Sequence, residues 1–333
     1  MRRREIIAGL GCAAVGWPVV TSRMSLAAAQ ARRPRLAMLL VAAGVTSSEG
    51  GERRDALAEL GWVDGRTIDI VLRYADGALD RVPALIDELV ALNPDVILTH
   101  TGEAARAAAR ATRTIPVVVG AAGEEVMVEL AGGNLARPTG NVTGLTLVSH
   151  EQHAKVLELL KQAHPAATRI GILANPLGTA YRDYPASLSG ALGLLGLDAV
   201  RVAARDQPGL EDAFATMAAA QMDAVLVTAD PNFNRPVMRL TINELARRHR
   251  IAVVSLFDAF TREGGLLSLG TDYPFIFRRA AVYVDKILKG AKPSELPIER
   301  PAVFRLMVNL KTAKALSITV PLALLGRADE VIE

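Results

Sequence analysis

The feature that most constrains the fold is a set of short apolar segments that occurs twice along the chain. Residues 95–99 (DVILT) are echoed by 223–228 (DAVLVT), residues 115–119 (IPVVV) by 251–254 (IAVV), and residues 36–40 (LAMLL) by 170–173 (IGIL). The offsets are 128, 136 and 134 residues. A period this long is not that of a solenoid repeat. The pattern predicts two lobes of the same design in one chain.

The apolar segments run without alternation, which is typical of strands covered on both faces in a parallel sheet. A chain of 333 residues, half of them hydrophobic, suits two domains that each bury a core. We therefore predict an α/β fold with two similar Rossmann-like lobes of parallel strands, joined by a multi-strand hinge with three crossings. The predicted lobe 1 is 34–147 plus 268–297, and the predicted lobe 2 is 148–265 plus 300–333.

Local sequence signals predict further helices, strands and loops. Thr101 is a predicted N-cap of the helix that follows the strand at 96–98. Residues 67–74 alternate like an edge strand, and 120–124 are predicted as a loop. Residues 266–269 are a predicted strand that leads back to lobe 1, and the chain is expected to end in a helical tail.

The first 29 residues have the pattern of a secretory signal peptide. Arg2, Arg3 and Arg4 precede an apolar run at 6–20, and small residues follow at 26–29. We expect cleavage near Ala29 or Ala31 and a periplasmic location. The sequence RREII at 3–7 resembles a twin-arginine export signal, and an ordinary Sec leader stays open.

The charge of the chain belongs largely to this leader. The formal net charge is +3, from 38 basic and 35 acidic residues, and residues 1–29 hold four arginines and one glutamate. The remainder is formally neutral, which argues against a nucleic-acid surface. The single cysteine, Cys12, also lies in the leader. No disulfide is therefore expected after cleavage.

Loops at the carboxyl ends of parallel strands are where open α/β sheets bind ligands. The predicted ligand-binding residues are those that these loops carry, together with Asp272, which follows the predicted return strand. In lobe 1 they are Ser47, Ser48, Thr101, Gly102, Glu103, Ala121 and Gly123; in lobe 2 they are Asn175, Thr179, Asp230, Asn232, Phe233, Ser255 and Asp258.

These residue types suit a small polar molecule. Backbone amides at the helix starts near Ser48 and Gly102 can hold a carboxylate, an aspartate at 230, 258 or 272 can hold an ammonium group, and Phe233 or Tyr184 can stack on a ring. Each has a simpler interpretation: Ser47, Ser48 and Thr101 as helix caps, Asp230 as a turn residue before Pro231, and Phe233 as core.

Neither a metal nor a cofactor is expected. His150 and His153 are spaced i, i+3 with Glu151 between them, but a third ligand at a suitable spacing is missing. His100 lies in the cleft loop, where hydrogen bonding within the loop is the simpler role. The chain also lacks a GxSxG elbow, an HExxH helix and a glycine-rich phosphate loop. We therefore expect a protein that is not an enzyme.

Nearly the whole chain resembles a known family. The matching segments are RREIIAG at 3–9, ELGWVDGR at 59–66, IPVV at 115–118, LARPTGNVTGL at 135–145, RRAAVYVDKILKGAKP at 278–293, NLKTAKAL at 309–316 and RADEVIE at 327–333. They resemble bacterial ABC-transporter substrate-binding proteins whose characterised relatives bind aromatic amino acids, the tryptophan/tyrosine type.

The resemblance implies a type I periplasmic-binding fold without catalysis. It also implies delivery of a captured small-molecule ligand to an ABC permease in the inner membrane. Two lobes joined by several strands can close around such a ligand by a hinge movement, and we expect a monomer. A sensory module that docks on a membrane signalling receptor is the alternative. A DNA-binding regulator with the same core would need a helix-turn-helix where the leader stands.

This chain departs from the family pattern at two helix starts. Relatives have a Thr-Pro-like pair where Gly102 and Glu103 stand, and Gly-Asp-Pro where Gly123, Glu124 and Glu125 stand. Acidic side chains in a first helical turn already satisfy the helix dipole and compete with a ligand carboxylate. A less acidic or cationic ligand therefore remains open.

Overall fold

The computed structural model describes residues 32–41, 47–148, 150–271, 273–300 and 304–333. The helices and strands given below all belong to the unit formed by residues 33–333. Within these ranges the strands form one sheet of five and one of seven, nearly all of them parallel. This confirms the predicted α/β class. The predicted leader and Asp272 lie outside the described residues.

The first sheet and its helices form what we call lobe 1. Its elements are β1 Arg35–Leu40, α1 Ser47–Ala58, β2 Asp69–Tyr74, α2 Val82–Ala91, β3 Val96–Thr99, α3 Gly102–Ala111, β4 Val117–Gly123, α4 Glu124–Leu130 and β5 Val142–Val148. The strand order is β2-β1-β3-β4-β5. As predicted, β2 is an edge strand.

The second sheet and its helices form lobe 2. Its first elements are α5 His150–Ala163, β6 Arg169–Ala174, α6 Thr179–Leu195, β7 Asp198–Ala203, α7 Gln207–Ala219, β8 Ala224–Val227, α8 Pro236–His249, β9 Ala252–Ser255, α9 Asp258–Arg262 and β10 Leu267–Thr271. After α10 Tyr273–Leu288, the chain adds β11 Phe304–Asn309, α11 Leu310–Ala315, α12 Leu322–Leu325 and β12 Glu330–Ile332. The strand order is β12-β11-β10-β9-β8-β6-β7.

The central strands are buried on both sides, which explains their unbroken apolar sequences. All four residues of β3 and all four of β8 are buried. In lobe 1, Ile97 packs with α2 and α3, whereas Leu98 packs with α1 and α10. Helices on both faces remove the polar side that an alternating strand would present to water.

The chain passes between the lobes three times, between residues 148 and 150, 271 and 273, and 300 and 304. Helix α10 packs on lobe 1, where Trp62 Nε1 donates to Asp285 Oδ1 at 2.9 Å. The segment before the third passage runs along β5, because Thr146 N donates to Glu299 O at 2.9 Å. Lobe 1 thus contains a late part of the chain.

The structure differs from the sequence predictions in three elements. β10 pairs in parallel with β9 and antiparallel with β11, so it lies in the sheet of lobe 2, although the predicted boundary at residue 268 put it in lobe 1. β4 continues through the predicted loop to Gly123, with a register shift against β5. The predicted helical tail ends in the short strand β12, which pairs with β11.

No helix among the described residues has both the length and the apolar character needed to cross a membrane.

Candidate functional site

The parallel strands of each lobe bring their following loops to one edge. In lobe 1, Thr101 ends the loop after β3, and its Oγ1 accepts a hydrogen bond from Ala104 N at 3.2 Å. The predicted N-cap is therefore confirmed. Gly102 and Glu103 form the first turn of α3; Gly102 is buried and Glu103 is half-buried.

Asp230 is the central polar side chain of the lobe 2 edge. Only 3% of it is exposed. Its Oδ1 accepts hydrogen bonds from Asn232 N at 2.8 Å and from Asn175 Nδ2 at 3.3 Å. Asn175 is fixed in turn, because its Oδ1 accepts from Leu177 N at 3.1 Å. Three residues that the sequence predicts as ligand-binding thus form one buried network.

Two effects raise the pKa of Asp230 to about 7: first its burial, and second the negative charge of Glu103. The hydrogen bonds from Asn175, Asn232 and Phe233 oppose this shift only in part. Glu103 belongs to lobe 1 and Asp230 to lobe 2. The two predicted acidic residues therefore interact electrostatically across the cleft, and Asp230 titrates near neutral pH.

The lobes also touch at the loop after β2, on the edge strand of lobe 1. A Cβ atom placed on Gly77 would lie 2.8 Å from Arg235 Cδ and 3.1 Å from Asn232 Oδ1. Asn232 and Arg235 belong to the same lobe 2 loop as Asp230. This loop therefore closes against lobe 1 at a strand far from the hinge strand β5.

A second buried cluster lies in lobe 1, on the α1 and α10 side. Arg53 Nε donates to His100 Nε2 at 3.2 Å, and the Arg53 guanidinium lies 3.8 Å from the centre of the Phe277 ring. Burial first, and the Arg53 charge second, hold the pKa of His100 well below its usual value. The imidazole is therefore neutral. Sequence reasoning missed Arg53 and Phe277, because neither lies in a loop that follows a strand.

The other predicted ligand-binding residues have different surroundings in the structure. Ala121 packs in the core beside α10, and Gly123 ends β4 just before α4. Ser255 Oγ accepts from Phe257 N at 3.2 Å, and Phe233 is fully buried in the core of lobe 2. Asp258 pairs at 3.6 Å with Arg262, and its side chain is 44% exposed.

For some predictions only the backbone is described. Ser47 and Ser48 begin α1, and Thr179 begins α6, as expected for residues at the carboxyl edges of strands. The side chains of these three residues, and those of His150, Glu151 and Tyr184, lie outside what the structure describes.

Glu103 and Glu124, two of the three acidic residues that depart from the family pattern, have different surroundings. Glu124 Oε2 accepts from Arg300 Nε at 3.1 Å, so this carboxylate is neutralised within lobe 1 and its connecting segment. Glu103 acts on Asp230 across the cleft. Of these two carboxylates, Glu103 is the one whose charge raises the pKa of Asp230.

The described residues contain no group of three or more His, Cys, Asp or Glu side chains that is able to hold a metal ion.

Comparison with known proteins gives a consistent result. A family model described as "ABC transporter substrate binding protein" matches residues 44–332. A tyrosine-binding protein from Clostridioides difficile (strain R20291) is 24% identical over 262 residues, which cover 78% of this chain and 74% of that protein.

Two solved structures are similar over nearly the whole described fold. A conserved domain protein from Vibrio cholerae O1 biovar El Tor has a TM-score of 0.82 and 26% identity, covering 90% of this chain and 100% of that chain. The ABC domain from Streptococcus pneumonia in complex with L-Trp has a TM-score of 0.81 and 24% identity, with the same coverage.

Proposed function

This chain belongs to the family of ABC transporter substrate binding proteins, and we propose that it is the periplasmic receptor of an ABC importer for an amino acid or a related amine. The ligand would be captured by closure of the two lobes and delivered to a permease in the inner membrane. The export pattern of residues 1–29 supports the location. The family is one of binding proteins, and we propose no catalytic step.

The observation that carries the ligand class is the position of Asp230. A carboxylate that is 3% exposed is costly unless a positive charge or a proton compensates it. The field of Glu103 from lobe 1 increases this cost. A ligand ammonium group between the two carboxylates would replace the proton and stabilise the closed form.

Closure follows from the same arrangement. The lobes are joined by three passages and touch at Gly77 and Arg235. Such a hinge can open for ligand entry, and the ligand shifts the equilibrium only as far as it binds the closed form more tightly. An ammonium that contacts both lobes satisfies that condition, because the two carboxylates come together only on closure.

The relatives support an amino acid as the ligand. One is a tyrosine-binding protein, and one structural neighbour is a complex with L-Trp. Glu103 and Asp230 suit the ammonium group that all amino acids share. Binding measurements with single amino acids determine which ligand side chain the receptor prefers.

The test is a thermal-shift and calorimetric panel of single L-amino acids, aromatic acids, purines and small amines. A ligand at 100 times its dissociation constant stabilises the folded protein by about 2.7 kcal/mol. We expect stabilisation by ligands with an ammonium group and none by aromatic acids that lack one. If only molecules without an ammonium group stabilised the protein, the proposed ligand class would be wrong.

A pair of variants then locates the contact. Asp230→Asn removes one charge-assisted hydrogen bond and should weaken the best amine ligand by about 10- to 100-fold. Asp258→Asn is the matched control, because Asp258 was also predicted from sequence but pairs with Arg262 at the surface. It should leave the affinity within about twofold. Equal effects of the two variants would contradict the proposed site.

A further inference from the structure

The side chain of Arg235 is an unassigned cation between the lobes. Arg235 directly precedes α8. A Cβ atom placed on Gly77 of lobe 1 would lie 2.8 Å from Arg235 Cδ. The residue is half-buried. Its position next to lobe 1 comes from the turn after Asp230, in which Asn234 N donates to Asp230 O and Arg235 N donates to Asn232 O, both at 3.2 Å.

The hydrogen bonds of the guanidinium are incomplete. A guanidinium has five N–H donors, and among the described residues Arg235 uses only Nη1, which donates to Asn232 Oδ1 at 3.2 Å. Its Nε is fully enclosed and has no acceptor among those residues. A charged donor that is buried without an acceptor is costly. An acceptor that a ligand supplies to the terminal nitrogens would compensate part of this cost.

Asn232 connects groups of opposite charge, because its N donates to Asp230 Oδ1 at 2.8 Å and its Oδ1 accepts from Arg235 Nη1 at 3.2 Å. Asp230, on the same loop as Arg235, and Glu103, on lobe 1, supply negative charge, and Arg235 supplies positive charge. A zwitterion with an ammonium and a carboxylate two bonds apart matches this set better than a simple amine does. Arg235 would also hold the carboxylate away from the negative charge of Glu103.

We propose that Arg235 is the carboxylate-binding residue of this receptor and thereby selects α-amino acids over amines that lack the carboxylate. The inference rests on the proposed function. The terminal nitrogens of Arg235 would donate to the ligand carboxylate as the lobes close. Neighbouring Asn232 keeps the guanidinium in place, because its Nδ2 is itself fixed by Arg205 O at 2.7 Å.

The test compares two ligand pairs that differ only in the carboxylate. L-tryptophan and L-tyrosine are measured with their carboxamides by calorimetry, against wild type and Arg235→Gln. We expect Arg235→Gln to weaken both amino acids by about 10- to 100-fold. It should change the affinity for the amides by less than about threefold, because an amide has no charge for Arg235 to bind.

Two further variants test the position of this side chain. A Cβ on Gly77 would lie 2.8 Å from Arg235 Cδ and 3.4 Å from its Nη1, so Gly77→Ala should displace the guanidinium and weaken the acids more than the amides. Arg205→Gln removes a neighbouring arginine whose side chain is 64% exposed, and should change neither. Thermal unfolding of the ligand-free variants shows whether each one is folded.

The outcomes distinguish the two proposals. If wild type binds the amino acids but Arg235→Gln weakens acids and amides equally, the carboxylate role is overturned and the receptor function stands. If wild type binds none of the four ligands but binds other amines in the panel, Arg235 has no carboxylate to select and the inference again fails. Binding of no amine at all overturns both.

Discussion

Gly77 of lobe 1 lies directly against Arg235 of lobe 2. A Cβ on Gly77 would come within 2.8 Å of Arg235 Cδ, and Gly77 has a φ of +74°. The smallest residue thus stands where the two lobes meet opposite the hinge side of the sheet. It allows the arginine to approach lobe 1 closely in the closed form.

We predict that Gly77→Ala weakens ligand binding by hindering closure. Gly65→Ala is the matched control, because Gly65 has a φ of +73° and nothing within 4 Å of its Cβ position. Both variants should lose about 1–2 kcal/mol of folding stability through backbone strain. Only Gly77→Ala should lower the affinity measured by calorimetry. Equal affinities of the two variants would show that the lobes do not need this contact.

Asp230 should make the ligand-free protein less stable as the pH rises. Its pKa is about 7 in the folded protein, against an ordinary value of 3.8. A carboxyl group with a raised pKa favours the folded state when protonated, so stability is lost between about pH 4 and pH 7 and is constant above.

Asp230→Asn cannot ionise and should therefore be more stable than wild type at pH 8, by at most about 4 kcal/mol. The difference should shrink towards pH 4, which is close to the ordinary pKa of 3.8 and where the wild-type carboxyl is protonated in the folded state. Denaturant unfolding of both proteins at pH 4, 6 and 8 measures it. A stability difference that does not change with pH would show that Asp230 titrates alike in the folded and unfolded chain.

The ligand affinity should also depend on the ionisation of Asp230, but it should rise with pH where the stability of the ligand-free protein falls. An ammonium group binds the ionised form of Asp230, so a proton leaves on binding and affinity rises with pH up to the pKa of about 7. Between pH 8 and pH 6 we expect the affinity to fall about tenfold, in proportion to the ionised fraction.

The measurement uses an amine that stays charged over this range. Calorimetry in buffers of different ionisation enthalpy should detect the released proton at pH 6. Asp230→Asn should show neither the pH dependence nor the proton release. Proton release that persists in this variant would assign the titration to another group.

Gly120→Ala should disrupt the buried cluster of lobe 1. A Cβ on Gly120 would lie 2.7 Å from His100 Nε2, the atom that accepts from Arg53. Overpacking of this kind typically costs about 1–3 kcal/mol. The expected result is a lower unfolding midpoint in denaturant.

A double-mutant cycle identifies the cause. If the clash with His100 explains the cost, Gly120→Ala should be nearly neutral in a His100→Ala background, because the space is then open. Additive costs would instead assign the effect to the backbone of β4.

Local patterns predicted much of the fold. Unbroken apolar segments identified the central strands of both lobes. A strand that is covered on both faces has apolar residues at successive positions, so it does not alternate between apolar and polar residues. The apolar segment at 223–228 contains β8, Ala224–Val227. The cap at Thr101 was also predicted, since a cap depends on atoms only three residues apart.

Candidate residues could be placed at the edges of the sheets but could not be ranked. Asp230 and Asp258 both follow strands of lobe 2. One is buried against Asn175 and Asn232, and the other pairs with Arg262 at the surface. Asp230 and Asp258 differ in burial because loops from separate strands cover one side chain and not the other. The spacing of nearby residues in the sequence does not predict this.

The sequence by itself determined the class of the fold, the repetition of the lobe and the edge at which the candidate residues stand, because periodicity and caps act over a few residues. Only the tertiary structure decided that β10 joins the sheet of lobe 2, that Arg53 packs against His100 and Phe277, and that Arg235 meets Gly77. The contacts of Arg53 with His100 and Phe277, and of Arg235 with Gly77, join residues 47, 224 and 158 positions apart. They depend on packing that forms only when the whole chain is folded.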